Sequence, residues 1–456
     1  MKKTLSFFLL LIPLMLGAQD FNVTVSIKGA ENRPVRFAQF KDLDFQVVDT
    51  TRADENGRVN FLLAPNTPKG LFRIYTGKDE YFDVIFGRED IEMEIDYNDA
   101  ENGMNVIQSF ENKAWYAYLD MEFDVMNRME MLTPLVSHYP EGALKDSAIA
   151  EYNRMQQELL RKVREICDEA PQSLACHMAA VRKPPLMPAA IPSTQRLAWL
   201  QENYFAGLDM NDTMLLNTTV YADKVIDYIG TYGDRNLTQS ELEDRFIVAI
   251  DKLMTYVQPE LGVYSYIVQY LVNGFERYKF EKVLNHIAEN YITEFSCGDE
   301  DQKKAVEKRL ESYRRMAVGK QIPEFSVPDA DGNLITLASL QAPHHLLLFW
   351  SSTCPHCTQM LPELEKMYQG KLSQQMDILA VSLDKDKAAW QEVLKTGNYP
   401  WVHVSELQGW NAKIANDFHI YATPTMILTD AQGKIIAKPI TLPELRTELR
   451  NREIMD

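Results

Sequence analysis

Two cysteines, Cys354 and Cys357, enclose Pro355 and His356 in a chain of 456 residues. Thiols at that spacing can form half of a zinc site, a structural bridge, or a dithiol that exchanges with other disulfides. A zinc site needs a second pair of ligands. The other cysteines, Cys167, Cys176 and Cys297, all lie far upstream, so the metal reading has little to draw on. A copper site wants a wider cysteine spacing with a distant histidine; His403 and His419 follow, but the spacing is wrong. The element that holds the pair must decide between a plain bridge and exchange chemistry.

The run His345–Trp350 (HLLLFW) is continuously apolar, the pattern of a strand buried on both faces. A helical pattern begins at Cys354 and continues through CTQMLPELEKMYQGKL. Cys354 therefore sits where a strand hands over to a helix. Free N–H groups and the positive dipole end there favour thiolate over thiol. Cys357 lies one turn further in, within reach of a mixed disulfide formed at Cys354. Met376–Asp384 and Thr423–Asp430 read as two more strands, and an Asp331-Gly332 turn precedes the first. This order predicts an α/β sheet with helices on its faces. His344 and His345, at a strand entrance, read as structural.

These residues resemble the thioredoxin superfamily, and within it the TlpA/ResA/DsbE-like envelope group, over roughly Val318 to Asn451. Trp350, four residues before Cys354, matches the family's tryptophan, and Pro362, five after Cys357, its helix-kinking proline. Thr423-Pro424 matches the residue and cis-proline that face the disulfide. The resemblance implies that this proline leaves neighbouring backbone free to pair with a substrate strand and discourages metal capture. The gap of 67 residues from Cys357 to Pro424 resembles the TlpA-like group, with its inserted helix and strand. LDKDKAAWQEVL and LQGWNAKIANDFHIYATPT are similar to the corresponding segments of that group. Two departures stand out. Leu348 occupies the place of the buried acid of minimal thioredoxins, and Met360 that of the glutamate of ResA-like proteins. Glu363 is a weak substitute, because it points to a different helix face. A ring N–H at His356 would stabilise the Cys354 thiolate, and Pro355-His356 is also the dipeptide of the DsbA oxidases. A pair more oxidising than thioredoxin's is expected, within a span of roughly -270 to -120 mV. A peroxiredoxin-like reading meets Leu347 where that family has proline, although Ser351 fills its Thr/Ser place.

Upstream, three parts are expected. Lys2, Lys3, the apolar run Leu5–Leu16 and Gly17-Ala18 read as an export signal over residues 1–18, with an uncleaved membrane anchor as the alternative. Residues 19–108 alternate with period two, as in Phe21, Val23, Val25, Ile27 and in Ile91, Met93, Ile95, and predict an antiparallel β-sandwich. Residues 109–316 change to helical spacing, as in Ile149, Tyr152, Met155, Leu159, Val163 and Ile166, with a capping box at Thr238 and Glu241. KPPLMPAAIPS (Lys183–Ser193) cannot be helical throughout and must be a loop or a sub-domain joint. Cys167 and Cys176 are either a disulfide or two small buried hydrophobes, and Cys297 has no partner legible in the sequence. These front regions resemble the β-rich and helical modules that precede thioredoxin-like domains in Gram-negative envelope proteins, through FNVTVSIKG, DENGRVNF and LLNTTVYADKVIDYI. No active residue follows from that resemblance.

The formal charge of -18 argues against a nucleic-acid partner, because phosphate binding needs clustered Lys and Arg. The expected protein is an exported, periplasmic or envelope thiol-disulfide oxidoreductase with a thioredoxin fold at residues 318–456 and no membrane span after signal cleavage. Cys354 attacks and Cys357 resolves; His356, Pro355, Trp350, Thr423 and Pro424 tune the pair or shape a substrate groove. No cofactor or metal is expected beyond the dithiol, and the partners are protein thiols or disulfides of the envelope together with a redox partner. The rival is a binding or scaffolding protein with a vestigial dithiol, which the missing acids favour.

Overall fold

The computed structural model describes residues 20–78, 80–96, 103–259, 262–292, 300–397 and 399–455. The expected export signal and Cys297 lie outside these described residues. The described residues fall into two compact units, up to Gly274 and from Phe275 onward.

The first unit opens with eight strands: β1 (Phe21–Lys28), β2 (Pro34–Lys41), β3 (Asp44–Arg52), β4 (Arg58–Leu63), β5 (Gly70–Tyr75), β6 (Tyr81–Phe86), β7 (Ile91–Asp96) and β8 (Met104–Gln108). They form two four-stranded sheets, ordered β4-β1-β7-β8 and β3-β2-β5-β6. The alternating runs meet as neighbours: Val23 pairs with Ile91, Val25 with Met93 and Ile27 with Ile95. Their apolar sides therefore coincide, and they share one core with Phe37, Phe72, Val84 and Phe86 of the other sheet. Phe37 stacks on Phe61 and Phe72 at 4.5 and 4.9 Å between centroids. Each such side chain contributes about 1.5–3 kcal/mol by leaving water. The expectation of wholly antiparallel sheets fails in one place, because β1 and β7 run parallel. Period-two alternation is the same in either direction. Here the chain crosses to the other sheet and back twice between the two strands, laying β4 antiparallel on one side of β1 before β7 returns on the other in the original sense.

The helices of the middle region are α1 (Phe110–His138), α2 (Ala143–Glu169), α3 (Leu174–Arg182), α4 (Ser193–Asn203), α5 (Val220–Gly230), α6 (Gln239–Met254) and α7 (Gly262–Arg277). The face read on α2 is buried at Tyr152, Met155, Leu159, Val163 and Ile166, with Ile149 at its start only half-buried, and α6 carries the Thr238–Glu241 capping box. Residues 183–192 are non-helical, as the prolines require. Cys167 and Cys176 are joined as a disulfide between the end of α2 and the first turn of α3. That same turn holds Glu111 of α1, which is only 5% exposed. The Glu111 carboxyl oxygens accept the N–H groups of Leu174 and Ala175 at 3.0 and 2.8 Å. Gly87 makes room for this carboxyl, since a Cβ there would lie 2.4 Å from Glu111 Oε1. Glu111→Ala should lower the stability of this unit by about 2–3 kcal/mol in urea unfolding, because two buried helix-end donors lose their acceptor.

The second unit carries α8 (Glu281–Asn290) and α9 (Glu300–Arg315), and then β9 (Val327–Pro328), β10 (Leu334–Ile335), β11 (His344–Trp350), α10 (Pro355–Met367), α11 (Leu372–Gln375), β12 (Met376–Ser382), α12 (Lys387–Gly397), β13 (Val402–Ser405), α13 (Lys413–Asp417), β14 (Thr425–Asp430), β15 (Ile435–Ala437) and α14 (Leu442–Asn451). A five-stranded sheet has the order β13-β12-β11-β14-β15. Its middle strand, β11, pairs parallel with β12 and antiparallel with β14. The continuous apolar run of β11 divides between two cores. Leu346, Leu348 and Trp350 pack in one cluster with Cys357 and Leu361. Leu347 and Phe349 pack in the other with Ile414 and Phe418. Both faces of the strand are covered, as its composition implies.

His403 on β13 is largely buried, and its Nε2 lies 3.4 Å from the Tyr399 carbonyl oxygen. Burial pushes its pKa down from 6.5 to about 4. The unfolded imidazole takes up a proton below pH 6.5 that the folded one refuses until about 4. The contribution of His403 is therefore complete above the unfolded value and is lost as the pH falls through that window, on the order of 3 kcal/mol in all. Denaturant titrations at stepped pH should show this slope in the native chain and a shallower one in His403→Leu. Equal slopes would remove His403 as the cause.

Candidate active site

The sheet delivers the cysteine pair. β11 ends at Trp350, and Ser351–Thr353 lead into α10, whose N-cap is Cys354 and whose first residue is Pro355. Proline suits that place, because its missing N–H would be unsatisfied there and its φ is already helical. Cys354 Sγ accepts the N–H of Cys357 at 3.2 Å, so a sulfur fills the role usually taken by a serine or aspartate oxygen. The Cys354 carbonyl accepts from Cys357 and Thr358 N–H, both at 3.1 Å, which closes the first turn. Cys354 and Cys357 are joined as a disulfide, with Cα atoms 5.3 Å apart. Cys354 is partly exposed, while Cys357 is 0% exposed.

The Thr423–Pro424 peptide is cis. The Thr423 carbonyl oxygen lies 3.5 Å from Cys354 Sγ. In the disulfide that sulfur has no proton; once reduced, the thiol can donate to this carbonyl. The structure therefore brings Cys354, Cys357, Thr423 and Pro424 together, with Thr423 and Pro424 half-buried beside the bond. His356 is exposed on the first turn of α10. Trp350 does not line an open groove: it is 0% exposed and packs inside the same cluster as Cys357. Its position at the inner end of β11 turns it into the core.

Leu348 and Met360, where the family resemblance leads one to expect acids, are 0% and 9% exposed and belong to this apolar cluster. Glu363 is exposed. The Cys357 sulfur thus sits among aliphatic and aromatic side chains, surroundings that disfavour its ionised form. A different acid lies close to the motif in space. Asp384, just after β12, is 4% exposed. It accepts from Ser351 Oγ at 2.9 Å, from Ser352 Oγ at 2.7 Å and from Ser352 N–H at 3.0–3.1 Å. In the sequence, Asp384 closes the apolar run Met376–Asp384 and falls in the segment LDKDKAAWQEVL, with nothing local to mark it as buried. The serines preceding the motif are the available signal, since they supply the donors that a buried carboxylate needs. Among the described residues, no group of three or more His, Cys, Asp or Glu side chains is placed to hold a metal ion.

Residues 318–438 match the AhpC/TSA family model. Among curated relatives, the chain is 26% identical over 126 residues to a thiol-disulfide oxidoreductase ResA of Bacillus cereus, covering 28% of this chain and 71% of that protein. It is 28% identical over 118 residues to the ResA of Halalkalibacterium halodurans, covering 26% and 65%. A solved thiol-disulfide oxidoreductase from Bacteroides fragilis shares 31% identity, with a TM-score of 0.27 and coverage of 29% of this chain and 99% of that one. The matched residues hold β11, α10, β12 and β14 with both cysteines of the pair. The C-terminal region is a thioredoxin-like domain of the AhpC/TSA family, with ResA-type thiol-disulfide oxidoreductases among its homologues.

Proposed function

We propose that this chain is an exported thiol-disulfide oxidoreductase that exchanges disulfides with envelope proteins through Cys354-Pro355-His356-Cys357. The observation that carries the reading is the Cys354 sulfur at an open helix start, partly exposed and 3.5 Å from the Thr423 carbonyl. The chain divides in this reading into a signal at 1–18, a β-sandwich at 19–108, a helical region at 109–316 and the thioredoxin-like part at 318–456. Lys2, Lys3 and the apolar run behind them support export. No helix among the described residues is long and apolar enough to cross a membrane.

In the reducing direction, the Cys354 thiolate attacks a substrate disulfide and releases one substrate thiolate. The Cys357 thiolate then attacks Cys354 Sγ and releases the second. Two electrons pass to the substrate, and the Cys354–Cys357 bond forms. A dithiol of a partner protein must reduce it again; in the oxidising direction each step reverses. Thr423 and Pro424 offer backbone beside the sulfur for an extended substrate segment. Pro355 starts the helix, His356 adds a donor near Cys354, and Trp350 packs beneath the loop.

Leu348 and Met360 favour the second reading, a scaffold whose dithiol no longer turns over, because no acid serves the buried thiol from either place. A disulfide-reductase assay separates the two. Native protein should turn over and Cys354→Ser should fall to background, whereas equal background rates would establish the scaffold. The potential of the pair should lie above thioredoxin's roughly -270 mV, and a value at or below it would reject the role given to Pro355-His356. Cys357→Ala should accumulate mixed disulfides that identify the substrate proteins.

A further inference from the structure

The segment that carries the nucleophile is tied to one buried carboxylate on another strand. Ser352 donates its N–H to both Asp384 oxygens and its hydroxyl to Oδ1 at 2.7 Å, and the Ser351 hydroxyl donates to Oδ1 at 2.9 Å. From the other side, Ser382 Oγ donates to Oδ2 at 2.7 Å while accepting the N–H of Asp384 at 3.1 Å. The Asp384 carboxylate is thus an acceptor on every side, with Ser351, Ser382 and Asp384 at 8%, 1% and 4% exposure. The Thr353 hydroxyl lies 2.9 Å from Ser351 Oγ, and the Ser351 carbonyl accepts the N–H of Cys354 at 3.1 Å. The contacts run without a break from the carboxylate, through Ser351, to the residue that bears the reactive sulfur. Lys385, Asp386 and Lys387, which follow Asp384, are exposed.

The geometry points to Asp384 as a positioning residue for the exchange reaction: it fixes the Ser351–Thr353 segment that places Cys354 against the Thr423 carbonyl, and its buried charge opposes the Cys354 thiolate. This inference rests on the proposed exchange chemistry. The carboxylate does not touch the substrate. It acts through the serines, and through a Coulomb effect that its low-dielectric surroundings strengthen. Charge and tether then pull in separable ways. Removing the charge favours the reduced, thiolate-bearing form. Removing the serine donors leaves the charge less neutralised and favours the disulfide.

The test equilibrates the Cys354–Cys357 pair with glutathione in the full chain and runs the protein-disulfide reductase assay in parallel. Asp384→Asn, close in shape, should shift the equilibrium toward reduced protein by at least about threefold. The double substitution Ser351→Ala with Ser352→Ala should shift it toward the disulfide. Both should lower kcat/KM for reductase turnover. A carboxylate that only anchors the end of β12 would lower stability in both variants and leave the equilibrium where it was. An unmoved equilibrium, or shifts of the same sign, overturns the inference. Should Asp384→Asn fail to fold, the serine variant decides by its own sign. Absence of turnover in the native chain would remove the proposed function, while the glutathione equilibrium would still read the effect of Asp384 on the pair.

Discussion

The sulfur of Cys354 stands where a helix expects an oxygen, and the chemistry of the second unit depends on that substitution. The first turn of α10 leaves backbone N–H groups without intrahelical acceptors. Serine, threonine or aspartate at the N-cap would satisfy one of them, at a gain of about 1 kcal/mol over a residue that cannot. A neutral thioether-like sulfur is a poor acceptor, whereas a thiolate is a strong one. The Cys357 N–H, 3.2 Å from Cys354 Sγ, therefore bonds more strongly in the reduced, ionised state than in the disulfide. The helix end is a built-in preference for thiolate, and it needs no residue beyond the backbone.

That preference matters only if the helix start is held in place, which is the task of β11. A strand buried on both faces and paired on both edges cannot slide without exposing Leu346 and Leu348 on one side or Leu347 and Phe349 on the other. Its C-terminal end is thereby fixed beside β14, which begins just after Thr423-Pro424. The same packing explains the missing acids. Leu348 and Met360 complete the apolar cluster that receives Cys357, where a carboxylate would give up its hydration. Hydroxyl and backbone donors gather at the end of β11, at Ser351 and Ser352, and the buried acid Asp384 is found with them.

Much of this architecture is legible in the sequence because it is written in local periods. The alternation of β1 and β7, the helical face of α2, the capping box of α6 and the doubly buried run of β11 each follow from residues close together in the chain. Three features are not legible, and the reasons are physical. The parallel pairing of β1 with β7 depends on the path of the intervening strands, which alternation does not encode. The burial of Asp384 depends on hydroxyls more than thirty positions earlier, so that a charged residue at a strand end reads as solvated until the fold closes. Glu111 is the same case in the first unit, since its carboxyl oxygens face the N–H groups of Leu174 and Ala175. Trp350 is the third: spacing sets it beside the groove, because spacing locates a residue along the chain and not its depth in the sheet.

The two disulfides of the described residues show why position, more than spacing, separates a bridge from a working pair. Cys176 lies in the first turn of α3, yet the cap there is Ser173, whose hydroxyl oxygen accepts the Cys176 N–H at 3.2 Å. The further N–H groups of that turn go to Glu111. Every donor that could stabilise a thiolate at Cys176 is already engaged by oxygen. A carboxylate alongside opposes ionisation further, and Cys176 is 8% exposed. Reduction there would have to create a thiolate with no unengaged donor to receive it, while giving up the loop closure worth about 2–3 kcal/mol. At Cys354 the relation is inverted. The sulfur is itself the cap and accepts the Cys357 N–H, and the nearby carboxylate is occupied by serine donors rather than by the helix end. The Cys167–Cys176 bond is accordingly a staple of the first unit, and only the pair on α10 has a helix end prepared for the electrons it would carry.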